Sequence, residues 1–174
     1  MNLEPIFSEF LVSSLNRWSE RKVDQCILSI AVPVRNIDPL KSLSLLTEKH
    51  QFRFLWDLSP GLCMSAGGHC QYLDLSGPER FENAQRFSDE IFTRLINATP
   101  SPDFSTSRIL FSFSFFDQIK NNEKSEDDKF SLQAVLPEWQ LTAKDGCTWL
   151  RLNSVAQSPT DVRESTERLW AIRE

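Results

Sequence analysis

The stretch Arg108-Ile-Leu-Phe-Ser-Phe-Ser-Phe-Phe-Asp117 carries the strictest alternation in the chain, and it limits what the rest can fold into. Side chains of a strand stand on opposite faces in turn. Ile109, Phe111, Phe113 and Phe115 therefore share one face, and Leu110, Ser112, Ser114 and Phe116 the other. Each ring can remove about 150–250 Å² from water, so the spacing predicts a central strand whose aromatic face is sealed in a core. An open aromatic binding platform is the competing reading, and a core strand is the simpler one. If Phe113 is buried in this way, truncating it to alanine should cost about 3–5 kcal/mol. By itself this physics specifies an α+β domain and no chemistry.

At 174 residues, 40% hydrophobic and 25% charged, the chain matches one globular domain, able to bury roughly 70% of its unfolded surface. A net charge of -5 gives no basic field for a phosphate backbone, which argues against nucleic acid as a partner. No apolar run reaches the roughly 18–20 residues that a membrane helix needs, and Met1 to Phe10 lacks the basic start of an export signal. A cytoplasmic protein without a membrane partner is expected. Cys26, Cys63, Cys70 and Cys147 have no short paired spacing and read as reduced core thiols, with no disulfide-linked partner.

Taken in order, residues 1–24 form a helical lead-in, with Ile6, Phe7, Phe10, Leu11, Leu15 and Trp18 at helix-like intervals. Residues 25–155 form the main domain. Cys26 to Val34 reads as a strand, with Pro33 at its end or at an unpaired edge position. Asp38-Pro39 reads as an N-cap with proline in the first turn of a helix burying Leu40, Leu43 and Leu46. Gln51 to Asp57 is a strand with Phe52, Phe54 and Trp56 on one face. After the turn signal Ser59-Pro-Gly61 it is answered by a return strand from Leu62 to Ala66. Gly67-Gly68 marks a bulge or a close backbone approach before the strand resumes at His69 to Leu75.

From Ser76-Gly-Pro-Glu79 a helix runs with Phe81, Ala84, Phe87, Ile91 and Leu95 as its apolar stripe and Arg80 facing away. Gln118 to Lys129 is a charged loop. Strands follow at Phe130 to Leu136 and Glu138 to Thr142, and Lys144-Asp-Gly146 turns the chain into a strand from Cys147 to Asn153. Residues 156–174 close with a helix carrying Val162, Thr166, Leu169, Trp170 and Ile172.

Few residues invite a chemical reading. Cys63 with His69-Cys70 has no C-x-x-C pair and no second half, which makes a zinc site a poor match. The same histidine lacks an orienting partner for a Cys/His nucleophile, and His50 lies at an ordinary helix end. Lys120, Lys124 and Lys144 fall in polar loops, and Asp127-Asp128 are clustered on one segment rather than converging.

The order of several short motifs nevertheless resembles a known family. Asp38-Pro39-Leu40, Phe54-Leu-Trp56-Asp57, Pro60-Gly61, Ala66-Gly67 and Leu75-x-Gly77-Pro78-x-Arg80-Phe81 come first. Phe113-Ser-Phe115 leading to Asp117, Leu136-Pro137-x-x-Gln140-Leu141 and Gly146-x-Thr148-Trp149-x-x-Leu152-Asn153 follow. Together they resemble the N-terminal part of the isochorismate synthases, which are chorismate-utilising enzymes. Ser112 and Ser114 stand where many relatives have glycines.

The resemblance implies half of a sandwich of twisted antiparallel sheets with helices packed outside. In the complete enzyme it implies a magnesium-dependent conversion of chorismate to isochorismate that serves quinone or siderophore synthesis. That chemistry needs a base, an acid and metal-holding carboxylates, and the family carries them in its C-terminal half, beginning with a lysine in a Lys-Val-Val-Leu-like run. No such run occurs here. The expectation is therefore no catalytic, cofactor-binding or metal-ligating residue in this chain, magnesium only in the full enzyme, and the C-terminal catalytic half as partner. Related reactions forming anthranilate, aminodeoxychorismate or salicylate are the alternatives, although the Leu-Leu-Glu-Ser motif usual in anthranilate synthases is missing. A free-standing binding or regulatory domain is the other alternative, and it should lack a bare apolar face.

Overall fold

The computed structural model describes residues 4–20, 25–35, 37–47, 51–57, 61–99, 101–115 and 131–173. The predicted charged loop, His50, Lys120, Lys124 and Asp127-Asp128 lie outside these residues. The elements are α1 (Glu4–Glu20), β1 (Cys26–Val34), α2 (Pro39–Leu46), β2 (Arg53–Asp57), β3 (Leu62–Gly67), β4 (Gln71–Leu75), α3 (Arg80–Arg94), β5 (Leu95–Asn97), β6 (Leu110–Phe113), β7 (Leu132–Leu136), β8 (Trp139–Lys144), β9 (Cys147–Ala156) and α4 (Pro159–Arg173). The strands form a six-stranded sheet in the order β2-β3-β8-β9-β1-β5 and a three-stranded sheet in the order β4-β7-β6. Every pairing is antiparallel except β1 with β5, which is an α+β fold as expected.

Alternation along β1, β8 and β9 divides the larger sheet into two unlike faces. Leu28, Ile30, Val32, Trp139, Leu141, Leu150 and Leu152 point to one side and form the main core. Helices α1, α2 and α4 cover that side, bringing Leu15, Trp18, Leu43, Leu46 and Trp170 onto it. The rings of Phe7 and Phe10 meet Trp170 at 5.5 and 5.7 Å, locking the leading helix to the closing one. Local signals set the helix ends. Asp38 accepts a hydrogen bond from Leu40 N at 2.9 Å with Pro39 in the first turn. At α4, Asp161 Oδ2 accepts from Gln157 N and Ser158 N while Ser158 Oγ accepts from Asp161 N, a reciprocal cap. Asp145 and Gly146, with φ of 50° and 76°, make the tight turn between β8 and β9.

Two transitions carry the chain between sheets. The glycine pair does not lead back into the same sheet, because β3 ends at Gly67 and β4 opens the smaller one. A Cβ at Gly67 would collide with Thr47 Oγ1 and with the Trp139 ring at 2.7 Å, so the glycine is required by a close approach. The return passes through Pro137-Glu138, between β7 and β8.

Several expectations are corrected. The phenylalanine strand is an edge strand, β6, and not a central one: Phe111 is 45% exposed, Phe113 63% and Phe115 91%. Register explains this. Phe111 and Phe113 pair with Ala134 and Leu132 and share their face, which α3 covers over β4 and β7. The helix layer stops short of β6, so the rings face the predicted side but lack the predicted cover. The Phe52–Trp56 strand is also an edge, with Trp56 exposed.

In α3 the predicted stripe holds at Ala84, Ile91 and Leu95, with Phe87 packed against the core, and fails at Phe81. Arg80, Ala84, Ser88 and Ile91 are buried while Phe81 is exposed, and Leu95 begins β5. Arg80 is held by donating to Gly77 O and by lying 4.5 Å over the Phe81 ring. In α2, Leu40 faces outward, and Cys147 is exposed rather than a core thiol.

Candidate functional site

The second face of the larger sheet carries a buried polar patch beside an apolar one around Ile27. Gln140 and Thr142 on β8, Arg151 and Asn153 on β9 and Ser29 on β1 fall in the same phase, interleaved with the leucines of the core face. All five are buried. The segment from Ala98 to Ile109 crosses them and supplies several of their partners. Arg151, only 1% exposed, donates from Nε to Ser105 O at 2.6 Å, from Nη1 to Ser29 Oγ at 2.6 Å and Asn97 Oδ1 at 3.3 Å, and from Nη2 to Ser101 Oγ at 2.6 Å.

Asn153 Oδ1 accepts from Ser29 and Ser107 hydroxyls at 2.7 and 2.9 Å, and Asn153 Nδ2 donates to Pro137 O at 2.9 Å. Gln140 Nε2 donates to Thr106 O and to Thr142 Oγ1, both at 3.0 Å, and Ala31 N donates to Thr99 Oγ1 at 2.7 Å. Burial lowers the Arg151 guanidinium to about 10, and the like charge of Arg108 adds to this. At neutral pH it remains a cation compensated by neutral acceptors.

This network clamps the 98–109 segment to the sheet and so fixes where β6 begins. Hydroxyls, amides and a guanidinium offer hydrogen bonds and charge but no group that exchanges a proton near neutral pH. Pro137 and Gln140 from one short motif of the sequence and Asn153 from another meet in this one network. Sequence reasoning gave no role to Arg151. The available signal was a polar side chain at every second position of β8 and β9, which the structure buries.

Elsewhere the chemical candidates stay apart. His69 is exposed and stacks on Tyr72 at 4.8 Å. Cys70 N donates to Leu136 O in the smaller sheet's corner, while Cys63 lies on β3 opposite Asp57. Burial pushes the Cys70 thiol up to about 12, with Glu138 raising it further and Arg94 opposing. Burial also raises Cys63, with Asp57 and Asp38 adding. Among the described residues, no three His, Cys, Asp or Glu side chains come together as a metal would need. No magnesium ligand is assigned within them. Lys144 ends β8 at the exposed hairpin.

The concave surfaces mix apolar and polar side chains. A cleft of about 330 Å³ opens between β2 and the smaller sheet, lined by Phe52, Phe54, Leu110, Phe111, Gln133 and Val135. Another of about 290 Å³ lies under α2, lined by Ile37, Lys41, Leu45, Leu46, Leu141 and Ile172. Beside the first cleft stands the aromatic face of β6, where Phe113 meets only the edge of Phe81 at 5.8 Å.

The family model described as chorismate binding enzyme matches residues 13–174. The chain belongs to the chorismate-binding enzyme family. No curated protein matches its sequence. Among solved structures, this family member is similar in fold to MenF, the menaquinone-specific isochorismate synthase from Escherichia coli, with a TM-score of 0.51 at 17% identity. That likeness covers 92% of this chain but 33% of the MenF chain, so this chain spans about a third of the length of the enzyme it matches. Among the described residues, no helix is long and apolar enough to cross a membrane.

Proposed function

We propose that this chain is the N-terminal portion of an isochorismate synthase and does not turn over chorismate by itself. In the complete enzyme, water would add to one ring carbon of chorismate as the hydroxyl leaves another, giving isochorismate with no net change in formula. The base, the acid and the carboxylates that hold magnesium would come from a C-terminal catalytic portion, acting in the cytoplasm. The chain's own share is structural: the polar clamp on β8 and β9 sets the 98–109 segment, and this sets β6 and the inter-sheet cleft.

The observation that carries the reading is the family match across residues 13–174 together with a fold likeness confined to a third of an isochorismate synthase. The exposed phenylalanines of β6 favour it over a free-standing binding domain, because an isolated domain gains nothing from rings left in water. The test is chorismate turnover followed by chromatography of the products. The 174-residue chain alone should form no isochorismate, and supplying a catalytic portion should restore it. Isochorismate formed by the isolated chain would refute the proposal.

A further inference from the structure

Leu55 is the centre of a self-complementary strand. β2 reads Arg53-Phe-Leu-Trp-Asp57, with opposite charges two residues to either side of Leu55 and aromatic rings one residue to either side. It ends the larger sheet, and its register with β3 fixes which of its backbone groups face outward. Gly68 N donates to Phe52 O at 3.0 Å, so Phe52 and, by alternation, Phe54 and Trp56 turn their backbone groups toward β3. The N–H and C=O groups of Arg53, Leu55 and Asp57 therefore point away from the sheet, and no strand among the described residues pairs with them. Arg53 and Asp57 are exposed, as are Leu55 at 40% and Trp56 at 51%.

We infer that β2 pairs with the β2 of a second copy of this chain, antiparallel, about a two-fold axis at Leu55. That axis sets Leu55 against Leu55 and Arg53 against Asp57 on both sides of it. These are the positions whose backbone groups point outward, so every one of these pairs exchanges both N–H···O bonds. Each arginine then stands directly across from an aspartate, and Phe54 stands across from Trp56 on the opposite face, both of which are favourable cross-strand pairs. Arg53 is already held by donating from Nη2 to Thr47 O at 2.8 Å, which leaves its other N–H groups for the carboxylate. Charge on an edge ordinarily keeps other strands away. On β2 the two charges are opposite and equidistant from the centre, so the strand that fits them is its own copy, in an isologous contact. The other edges lack this symmetry, since β4 carries Asp74 alone and β5 and β6 carry no charge.

Sedimentation velocity of the 174-residue chain over a concentration series should show a reversible monomer–dimer equilibrium. Asp57→Arg and Arg53→Asp each bring like charges together across the axis, and each alone should weaken the dimer about tenfold. Mixing these two variants should restore association as a heterodimer, because every arginine of one then faces an aspartate of the other. The exchange Arg53→Asp/Asp57→Arg within one chain should restore the homodimer, so a folding defect in a single variant does not decide the result. In the dimer, amide exchange should slow at Arg53, Leu55 and Asp57 and stay unchanged at Phe54 and Trp56, whose N–H groups already bond β3. A chain that is monomeric throughout the series would overturn the inference. So would a mixture of the two variants that stays monomeric, or protection that appears on another strand such as β6. None of these outcomes touches the proposed function, which chorismate turnover tests separately.

Discussion

The two sheets are built from similar strands but stand in opposite conditions. The larger sheet is covered on both faces: helices seal its apolar side, and the 98–109 segment bonds its polar side through Arg151, Asn153 and Gln140, leaving only the Gln140 Oε1 acceptor of this network without a partner among the described residues. The smaller sheet is finished over β4 and β7, where α3 lies, and unfinished over β6. Strand chemistry does not separate them, since β6, like β1, is apolar by sequence. What separates them is whether a second layer reaches the strand, and that is decided by polypeptide far away in the chain.

Breaking the finished sheet should be costly. Ile30, buried beneath the helical layer, should cost about 2–5 kcal/mol on truncation to alanine, read from urea unfolding midpoints. Gly67→Ala should cost about 1–3 kcal/mol, because its methyl would have to displace Trp139 and Thr47 where the chain leaves the larger sheet.

At the corner between the sheets the effect depends on pH. The Cys70 thiol is raised in the folded state, so its contribution is complete below the unfolded value near 9.0 and is lost as pH climbs toward about 12. Urea midpoints should therefore fall between pH 9 and 11, and fall less for Cys70→Ala. The smallest change belongs to the unfinished sheet. Phe113→Ala should cost only about 0.5–1.5 kcal/mol, the worth of its contact with Phe81, and not the 3–5 kcal/mol that a buried ring would imply. A loss as large as that of Ile30→Ala would erase the contrast.

How much could be read beforehand follows from the same division. Asp38-Pro39, Asp145-Gly146 and the Val162, Thr166, Leu169 stripe act through neighbours in sequence, and the structure places each as its local chemistry requires. Phe111 and Phe113 were assigned to the right face but the wrong environment, because alternation reports direction and carries no information on the reach of α3. The exchange of Arg80 for Phe81 at the start of the α3 stripe has a similar origin: Arg80 finds Gly77 O and the Phe81 ring, although its buried Nε has no hydrogen-bond partner among the described residues, and Phe81 stays outside. Arg151 was illegible because its acceptors come from residues 29 to 105, scattered along the chain, and meet only after both sheets form.

The most direct test of the contrast is amide hydrogen exchange on the chain alone, resolved to single strands. Opening free energies are expected to approach the global value in β1, β8 and β9 and to be several kcal/mol lower in β6, where one edge and the two rings lack cover from the described residues. Protection of β6 equal to that of β9 in the isolated chain would contradict the account.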